Sequence, residues 1–194
     1  MHYCIHVLTK EFPTEAMLED IMAPYNENDY YRQAYDEEGN ERDDIERPDI
    51  LWDFWLIGGR YNGKIKLKVD EKDDKYKWQY ITSYADPRNG RLFWCAMLST
   101  IKEYAPRYTL CEENCFNYLG YRDGYLRVDG AKISDTCNIS ELSCYAFINP
   151  DGTLCVREKW DGSNCIEDPD FDIKYRQAVD DNSDGYLTVI DIHD

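Results

Sequence analysis

The sequence predicts a single α+β domain built on a mainly antiparallel sheet, with the first and last strands of the chain inside that sheet. Both ends of the chain alternate apolar and polar residues as strands do, and a hairpin pattern occupies the second half. A few short helical patterns lie between the strands without strict alternation, which is typical of α+β domains. The length of 194 residues fits one domain over residues 1–194.

The elements of the first half follow from local patterns. Residues 2–9 alternate and predict the first strand, and Thr14 is placed as the N-cap of a short helix that ends at Pro24. Residues 28–49 are polar and acidic, and we interpret them as an insertion with a short helix and a loop long enough to be mobile. Two further strands are predicted at 64–69 and 76–82.

Local patterns also predict the elements of the second half. The apolar run 92–104 fits a strand or a helix, and a helix from Phe93 to Tyr104 is favoured. The segment NPDG at 149–152 is typical turn chemistry and predicts a hairpin within 143–160. Asp168 before a proline predicts the N-cap of a helix that runs to about residue 179, and YLTVIDIH predicts the last strand.

The cysteines and the hydropathy indicate a cytoplasmic protein. The chain has 8 cysteines, but it opens without a secretory leader pattern and is long enough to fold without disulfides. We therefore expect reduced, structural thiols. Cys111 and Cys115 have the spacing of half a zinc site, but no matching second half follows. No apolar run approaches the roughly 20 residues of a membrane span, so no membrane association is predicted. No cofactor is predicted either.

The charge of the chain is concentrated in two blocks. The formal net charge is −17; residues 27–49 hold 10 acids and 3 bases, and residues 161–194 hold 10 acids and 2 bases. This distribution argues against direct binding of nucleic acid through its phosphates. The blocks are either solvated surface or a surface that meets a basic protein in place of phosphates. In the second case the expected partner-binding residues are Tyr30, Tyr31, Tyr35, Asp36, Glu37, Glu38, Asp43 and Asp44.

The central segment WDFWLIGGRYNG offers a candidate ligand site. Gly58 and Gly59 permit positive φ angles and could present backbone N–H groups, while Arg60 could bind an anion through two donors and Asp53 could orient it. The alternative is structural: the tryptophans fill the core and the glycines form a bulge.

The three histidines lie near the ends of the chain. Asp191 and His193 share one face of the last strand because they are two residues apart. If the terminal strands are neighbours, His6 could approach both residues and, with Glu27, form a divalent-metal or acid–base site. The catalytic candidates, should the protein be an enzyme, are therefore Glu27, Asp191 and His193. The alternative is that these histidines are unrelated.

A calcium-loop pattern precedes the last strand. Asp180, Asn182, Asp184 and Asp191 occupy positions 1, 3, 5 and 12 of that pattern, with Gly185 at the sixth. The twelfth ligand is Asp instead of the usual Glu, and no second loop pairs with this one. These four residues are weak metal candidates, and a turn that leads into a strand is the favoured interpretation.

The central segment also carries a resemblance. It resembles an uncharacterised bacterial and phage family with the pattern W-D-W-Y/W-x-I-G-G-R-W-x-G. The segments APYNEN, YAFINPDGTLCVREKW and LTVIDIHD resemble that family's P-Y/F-x-E-N segment, its hairpin and its closing L-T-V-V-D-C-H-I strand. The chain departs from the pattern at Phe54, Tyr61 and Ile192. The resemblance implies phage or mobile-element ancestry and implies no activity.

Two functions are consistent with these features. The favoured one is a non-enzymatic acidic protein that inhibits a host nucleic-acid-handling defence protein, for example a CRISPR effector, by surface mimicry. Its partner would be a basic host protein, for example a nuclease at its nucleic-acid-binding surface. The alternative is a small enzyme or ligand-sequestering protein that takes a phosphate-containing small molecule at the I-G-G-R segment. The absence of a strong catalytic motif favours the first function.

Overall fold

The computed structural model describes residues 1–45, 47–68, 84–85, 92–93, 115–116, 120–122, 125–160 and 163–193. Within these ranges the helices are α1 (Glu15–Met22), α2 (Glu27–Ala34) and α3 (Phe171–Asp181). The strands of the first half are β1 (His2–Thr9), β2 (Phe54–Ile57), β3 (Ile65–Lys68), β4 (Tyr84–Ala85) and β5 (Leu92–Phe93). The remaining strands are β6 (Cys115–Phe116), β7 (Gly120–Arg122), β8 (Tyr125–Val128), β9 (Gly130–Lys132), β10 (Ala146–Ile148), β11 (Leu154–Val156), β12 (Glu158–Trp160), β13 (Cys165–Glu167) and β14 (Tyr186–His193).

The terminal strands form the centre of a mixed sheet. The strand order is β11-β10-β1-β14-β9-β6, and β2 also pairs with β14. The pairs are antiparallel except β1 with β10, which is parallel. The prediction of an α+β domain with both terminal strands in the sheet is therefore confirmed. Smaller sheets are β3-β8-β7, β12-β13 and β4-β5.

Both faces of β1 and β14 are covered, which explains why the two strands are buried over most of their length. Alternate residues of a strand face opposite sides of the sheet. One side packs Leu8 and Val189 against Phe171 and Tyr175 of α3. The other side packs Ile5, Val7, Ile190 and Ile192 with α1 and with Trp52, which is fully buried. These two layers supply most of the described apolar core.

Among the described helices, α1 and α2 have the side-chain N-caps typical of helices, whereas α3 does not have the predicted one. The Thr14 hydroxyl accepts from the Met17 N–H at 3.2 Å, as predicted, and the Asn26 side chain accepts from the Asp29 N–H at 3.2 Å at the start of α2. The prediction that Asp168 caps the third helix is wrong. That helix begins at Phe171, and the Asp168 carboxylate accepts from the Asp170 N–H at 2.9 Å within a preceding turn.

Other local predictions have mixed outcomes. The hairpin within 143–160 is confirmed and consists of β10 and β11. The Asn149 N–H donates to the Thr153 carbonyl at 2.9 Å and closes its turn. The predicted strand at 64–69 appears as β3, and residue 69 lies outside the described residues. The predicted helix from Phe93 is contradicted at its start, because Leu92–Phe93 pairs with β4 as a strand. The rest of that range and the predicted strand at 76–82 lie outside the described residues.

The described cysteines and helices can be compared with the predictions of reduced thiols and no membrane span. The cysteines with described side chains are free, namely Cys4, Cys137, Cys144, Cys155 and Cys165. Burial raises the pKa of the Cys4 thiol to about 11, so it behaves as a core residue and not as a nucleophile. Among the described helices, none has the length and apolar character needed to cross a bilayer.

Candidate functional site

The ends of β1, β14 and β2 meet at one end of the central sheet. They bring together His2 and His193, the histidines nearest the two ends of the chain. In the antiparallel register His2 of β1 lies opposite His193 of β14, and His193 lies opposite Phe54 of β2. Directly opposite residues project to the same face of an antiparallel sheet. The Phe54 ring stacks on the His193 ring with centroids 5.2 Å apart, and the His2 ring lies 4.9 Å from the His193 ring.

Asp191 is the buried centre of this cluster. Its side chain is almost fully buried, and its Oδ1 lies 2.9 Å from Nδ1 of His2. Its Oδ2 accepts from the backbone N–H of Arg60 at 2.8 Å. Burying a carboxylate without partners is costly, so these two contacts are what allow a carboxylate at this position. Asp191 therefore fastens the 58–63 loop and the His2 ring to the last strand.

His193 is held by a second carboxylate. Its Nδ1 lies 3.0 Å from Asp53 Oδ1 and 3.1 Å from Oδ2, at the surface end of the same row. The Asp53 backbone N–H donates to the His193 carbonyl at 3.0 Å, which fixes the two residues side by side. An ionised carboxylate only accepts hydrogen bonds, so in both histidines the Nδ1 atom carries the proton. With Nδ1 facing the carboxylate, Nε2 is the other ring nitrogen of each histidine, and in an imidazole with its proton on Nδ1 it carries the lone pair.

The glycine segment closes over two buried aspartates. Gly58 and Gly59 have φ angles of 70° and 49°, and they lead into a short 3₁₀ turn at Gly59–Tyr61. Added Cβ atoms would lie less than 3.0 Å from Asp129 at Gly58 and from Asp191 at Gly59. The Gly63 N–H donates to Asp129 Oδ1 at 2.6 Å. Glycine is therefore required both by the backbone angles and by the close approach of the carboxylates.

The hydrogen bonds of the I-G-G-R segment differ from those expected for an anion site. The sequence suggested that its backbone N–H groups hold an external anion, but Arg60 and Gly63 donate to the protein's own carboxylates. Asp53, expected to orient Arg60, is bonded to His193 instead. A phosphate placed here would meet Asp129 and Asp191, both fully buried. The geometry therefore favours the structural interpretation, in which the segment attaches β2 to the core.

Two other residues of the expected acid–base site lie elsewhere. His6 is fully buried and is hydrogen-bonded to the Tyr175 hydroxyl at 2.7 Å, because the register places it opposite Val189. Burial and the nearby Lys64 charge lower the pKa of His6 to about 3. Glu27 begins α2, where its N–H donates to the Trp52 carbonyl at 2.9 Å. His2 is not among the residues predicted for the site, although pairing the two eight-residue terminal strands end to end places it opposite His193.

The calcium-loop pattern does not bring its residues together. Asp180 lies in the last turn of α3, and Asn182 and Asp184 lie in the turns that follow it. Asp191 lies about 16 Å beyond Tyr186 along an extended strand. An added Cβ at Gly185 would lie less than 3.0 Å from the Thr9 carbonyl, so this glycine serves the contact with β1. Within the described ranges, no group of three or more His, Cys, Asp or Glu residues is arranged to hold a metal.

The acidic segment after α2 contains a hydrogen-bonded turn. The Asp36 carboxylate accepts from the Asn40 N–H at 2.7 Å, and Tyr35 bridges Glu41 in an antiparallel pairing. Hydrogen bonds from Asn40 lower the pKa of Asp36, so it carries its charge at neutral pH. The Asp44 carboxylate pairs with Arg42 at 2.8 Å. Glu37, Glu38 and Asp43 are exposed, so the turn presents free carboxylates to solvent.

The three tyrosines of this region divide into one core residue and two surface residues. Tyr30 is only 6% exposed and packs with Ala34 and Leu51, so it anchors α2 to the domain. Tyr31 and Tyr35 are 40% and 39% exposed, with their ring centroids 5.9 Å apart. The structure therefore places two aromatic side chains beside the exposed carboxylates and withdraws the third from the surface.

Comparison with known proteins identifies no relative: no family model, curated protein or solved structure matches the chain.

Proposed function

We propose that this protein is a non-enzymatic acidic binding protein that acts in the cytoplasm by occupying a basic surface of a host protein. The observation that carries the proposal is the turn after α2, where exposed carboxylates stand beside the exposed rings of Tyr31 and Tyr35. Aromatic anchors with a charged rim are typical of protein interfaces. The partner class that fits best is a protein whose basic surface handles nucleic acid, because exposed carboxylates can replace phosphates there.

The hydrogen bonds within the turn support the proposed binding. A surface that is already held in one conformation loses less entropy when it binds. Here the Asp36 hydrogen bonds and the Tyr35–Glu41 bridge hold the turn, and Tyr30 fixes the preceding helix to the core. From the resemblance of the central segment to a phage family we further propose phage or mobile-element ancestry, and with it a host defence protein such as a CRISPR effector as the target.

The rival proposal, a phosphate-ligand protein centred on the I-G-G-R segment, has less support. The backbone N–H groups of Arg60 and Gly63 are engaged by Asp191 and Asp129, so they are not available to a phosphate. The two buried carboxylates would also repel an anion at short range. No observation at this segment favours a bound phosphate over the internal hydrogen bonds.

The test is capture of a partner by the intact protein from a nuclease-treated bacterial lysate, with native mass spectrometry of the eluate. We expect a stoichiometric basic protein. The triple variant Glu37→Gln/Glu38→Gln/Asp43→Asn removes three exposed charges and leaves the Asp36 and Asp44 contacts intact. It is expected to weaken binding about tenfold or more, because charges at an interface also govern encounter.

The matched control is Glu19→Gln/Asp20→Asn/Asp184→Asn, which removes three exposed charges elsewhere. It has the same net charge as the first triple variant, and it should retain most of the binding. Equal loss in both variants would mean that overall charge, and not the turn after α2, drives the interaction. Capture of no protein at all would contradict the proposal.

A further inference from the structure

We propose that His2 and His193 form a paired-imidazole site for a late first-row divalent cation such as Zn²⁺, Ni²⁺ or Cu²⁺. The proposal is independent of the acidic binding function, because the turn after α2 supplies none of its ligands. It depends on the two rings that β1 and β14 place side by side and on the carboxylate that fixes each ring.

The carboxylate contacts of the two rings support metal binding. Metal-binding histidines commonly donate their second ring N–H to a carboxylate, which fixes the tautomer and makes the other nitrogen a better ligand. Both rings here have that support, from Asp191 at 2.9 Å and from Asp53 at 3.0 Å. Each Nε2 therefore has a lone pair available for a metal.

The distance between the two rings also supports a shared ion. Two imidazole nitrogens that bind one zinc ion at about 2.1 Å place their ring centroids about 4.5–5.2 Å apart for ligand angles of roughly 90–110°. The centroids of His2 and His193 are 4.9 Å apart. The separation of the ring centroids is therefore compatible with one ion bound by both rings, whose planes cross at 67°.

The charge around the rings and their exposure to solvent favour a cation. The side chains of His2 and His193 are 17% and 36% exposed, whereas Asp191, at the Nδ1 edge of His2, is only 2% exposed. Two carboxylates next to the rings and a net charge of −17 favour a cation over an anion. Imidazole ligands select Zn²⁺, Ni²⁺ and Cu²⁺ over Mg²⁺ and Ca²⁺. With two protein ligands among the described residues, the remaining positions are open to water.

The test is titration of the untagged, full-length protein with ZnCl₂ and, separately, with NiCl₂, followed by calorimetry. One ion should bind per chain. His193→Gln and His2→Gln should each reduce the affinity by at least about tenfold, and Asp53→Ala, a positioning change, by about tenfold. Electron paramagnetic resonance of the Cu²⁺ complex should show two equivalent imidazole nitrogens.

The control is the triple variant Glu37→Gln/Glu38→Gln/Asp43→Asn, which removes surface carboxylates and should leave the zinc affinity unchanged. Circular dichroism of each histidine variant checks that the fold is retained. An unchanged metal affinity in His193→Gln overturns the proposal. If only His2→Gln lowers the affinity, the metal binds His2 without His193, and the paired site is wrong. Loss of binding in the carboxylate control would assign the ion to the acidic surface and overturn it as well.

Discussion

Replacement of Gly58 by alanine is expected to lower the free energy of unfolding by about 2–4 kcal/mol, the sum of backbone strain and overpacking. The φ angle of Gly58 is 70°, a conformation that a residue with a Cβ rarely adopts. The added methyl group would also overlap the Asp129 carboxylate, which is fully buried and cannot move into solvent. Urea denaturation of the variant and the wild type measures the difference.

Gly39→Ala is the matched control for this change. Gly39 has a similar φ angle of 82°, but no atom lies within 4 Å of an added Cβ. Its substitution is expected to cost only the strain, about 1 kcal/mol. Equal destabilisation of the two variants would show that the close approach of Asp129 to the loop is unimportant.

Acidification is expected to destabilise the protein through His6. The pKa of His6 is about 3 in the folded state, because burial and Lys64 disfavour its charged form, against 6.5 in the unfolded chain. Below pH 6.5 the unfolded chain therefore binds a proton that the folded protein does not, and stability falls until about pH 3. The loss between pH 8 and pH 4.5 is about 2.7 kcal/mol from this residue alone.

The measurement is the free energy of unfolding in urea across this pH range for the wild type and for His6→Gln. The glutamine can still accept a hydrogen bond from the Tyr175 hydroxyl, but it does not titrate. As the pH falls, the free energy of unfolding of the wild type should decrease more than that of His6→Gln, by up to about 1.4 kcal/mol per pH unit. Should the variant not fold, nuclear magnetic resonance of the His6 ring in the wild type must show a neutral imidazole at pH 4.5. A ring that titrates near pH 6.5 would contradict the account.

Local pattern predicted the terminal strands well, because alternation depends on a few neighbouring residues. β1 and β14 and the hairpin of β10 and β11 occur where the sequence places them. The start of α3 was misplaced by a few residues, since an Asp-Pro-Asp segment offers two plausible caps and the turn around Asp168 is used instead.

The candidate sites depended on contacts that local pattern does not contain. The two glycines indicated an unusual backbone, but their neighbours are Asp129 and Asp191, and the Arg60–Asp191 hydrogen bond spans 131 positions. The choice between His2 and His6 depended on the register of β1 against β14, because both lie on the same face of β1. The burial of Tyr30 likewise follows from packing against Leu51.

The central claim is that charge on the turn after α2 drives binding to a basic protein. The most direct test is the dissociation constant of the captured complex as a function of salt concentration, for the wild type and for Glu37→Gln/Glu38→Gln/Asp43→Asn. The account predicts that the wild-type constant rises about tenfold or more between about 0.05 M and about 0.5 M salt, with a shallower rise for the variant. A wild-type constant that does not change with salt would contradict it.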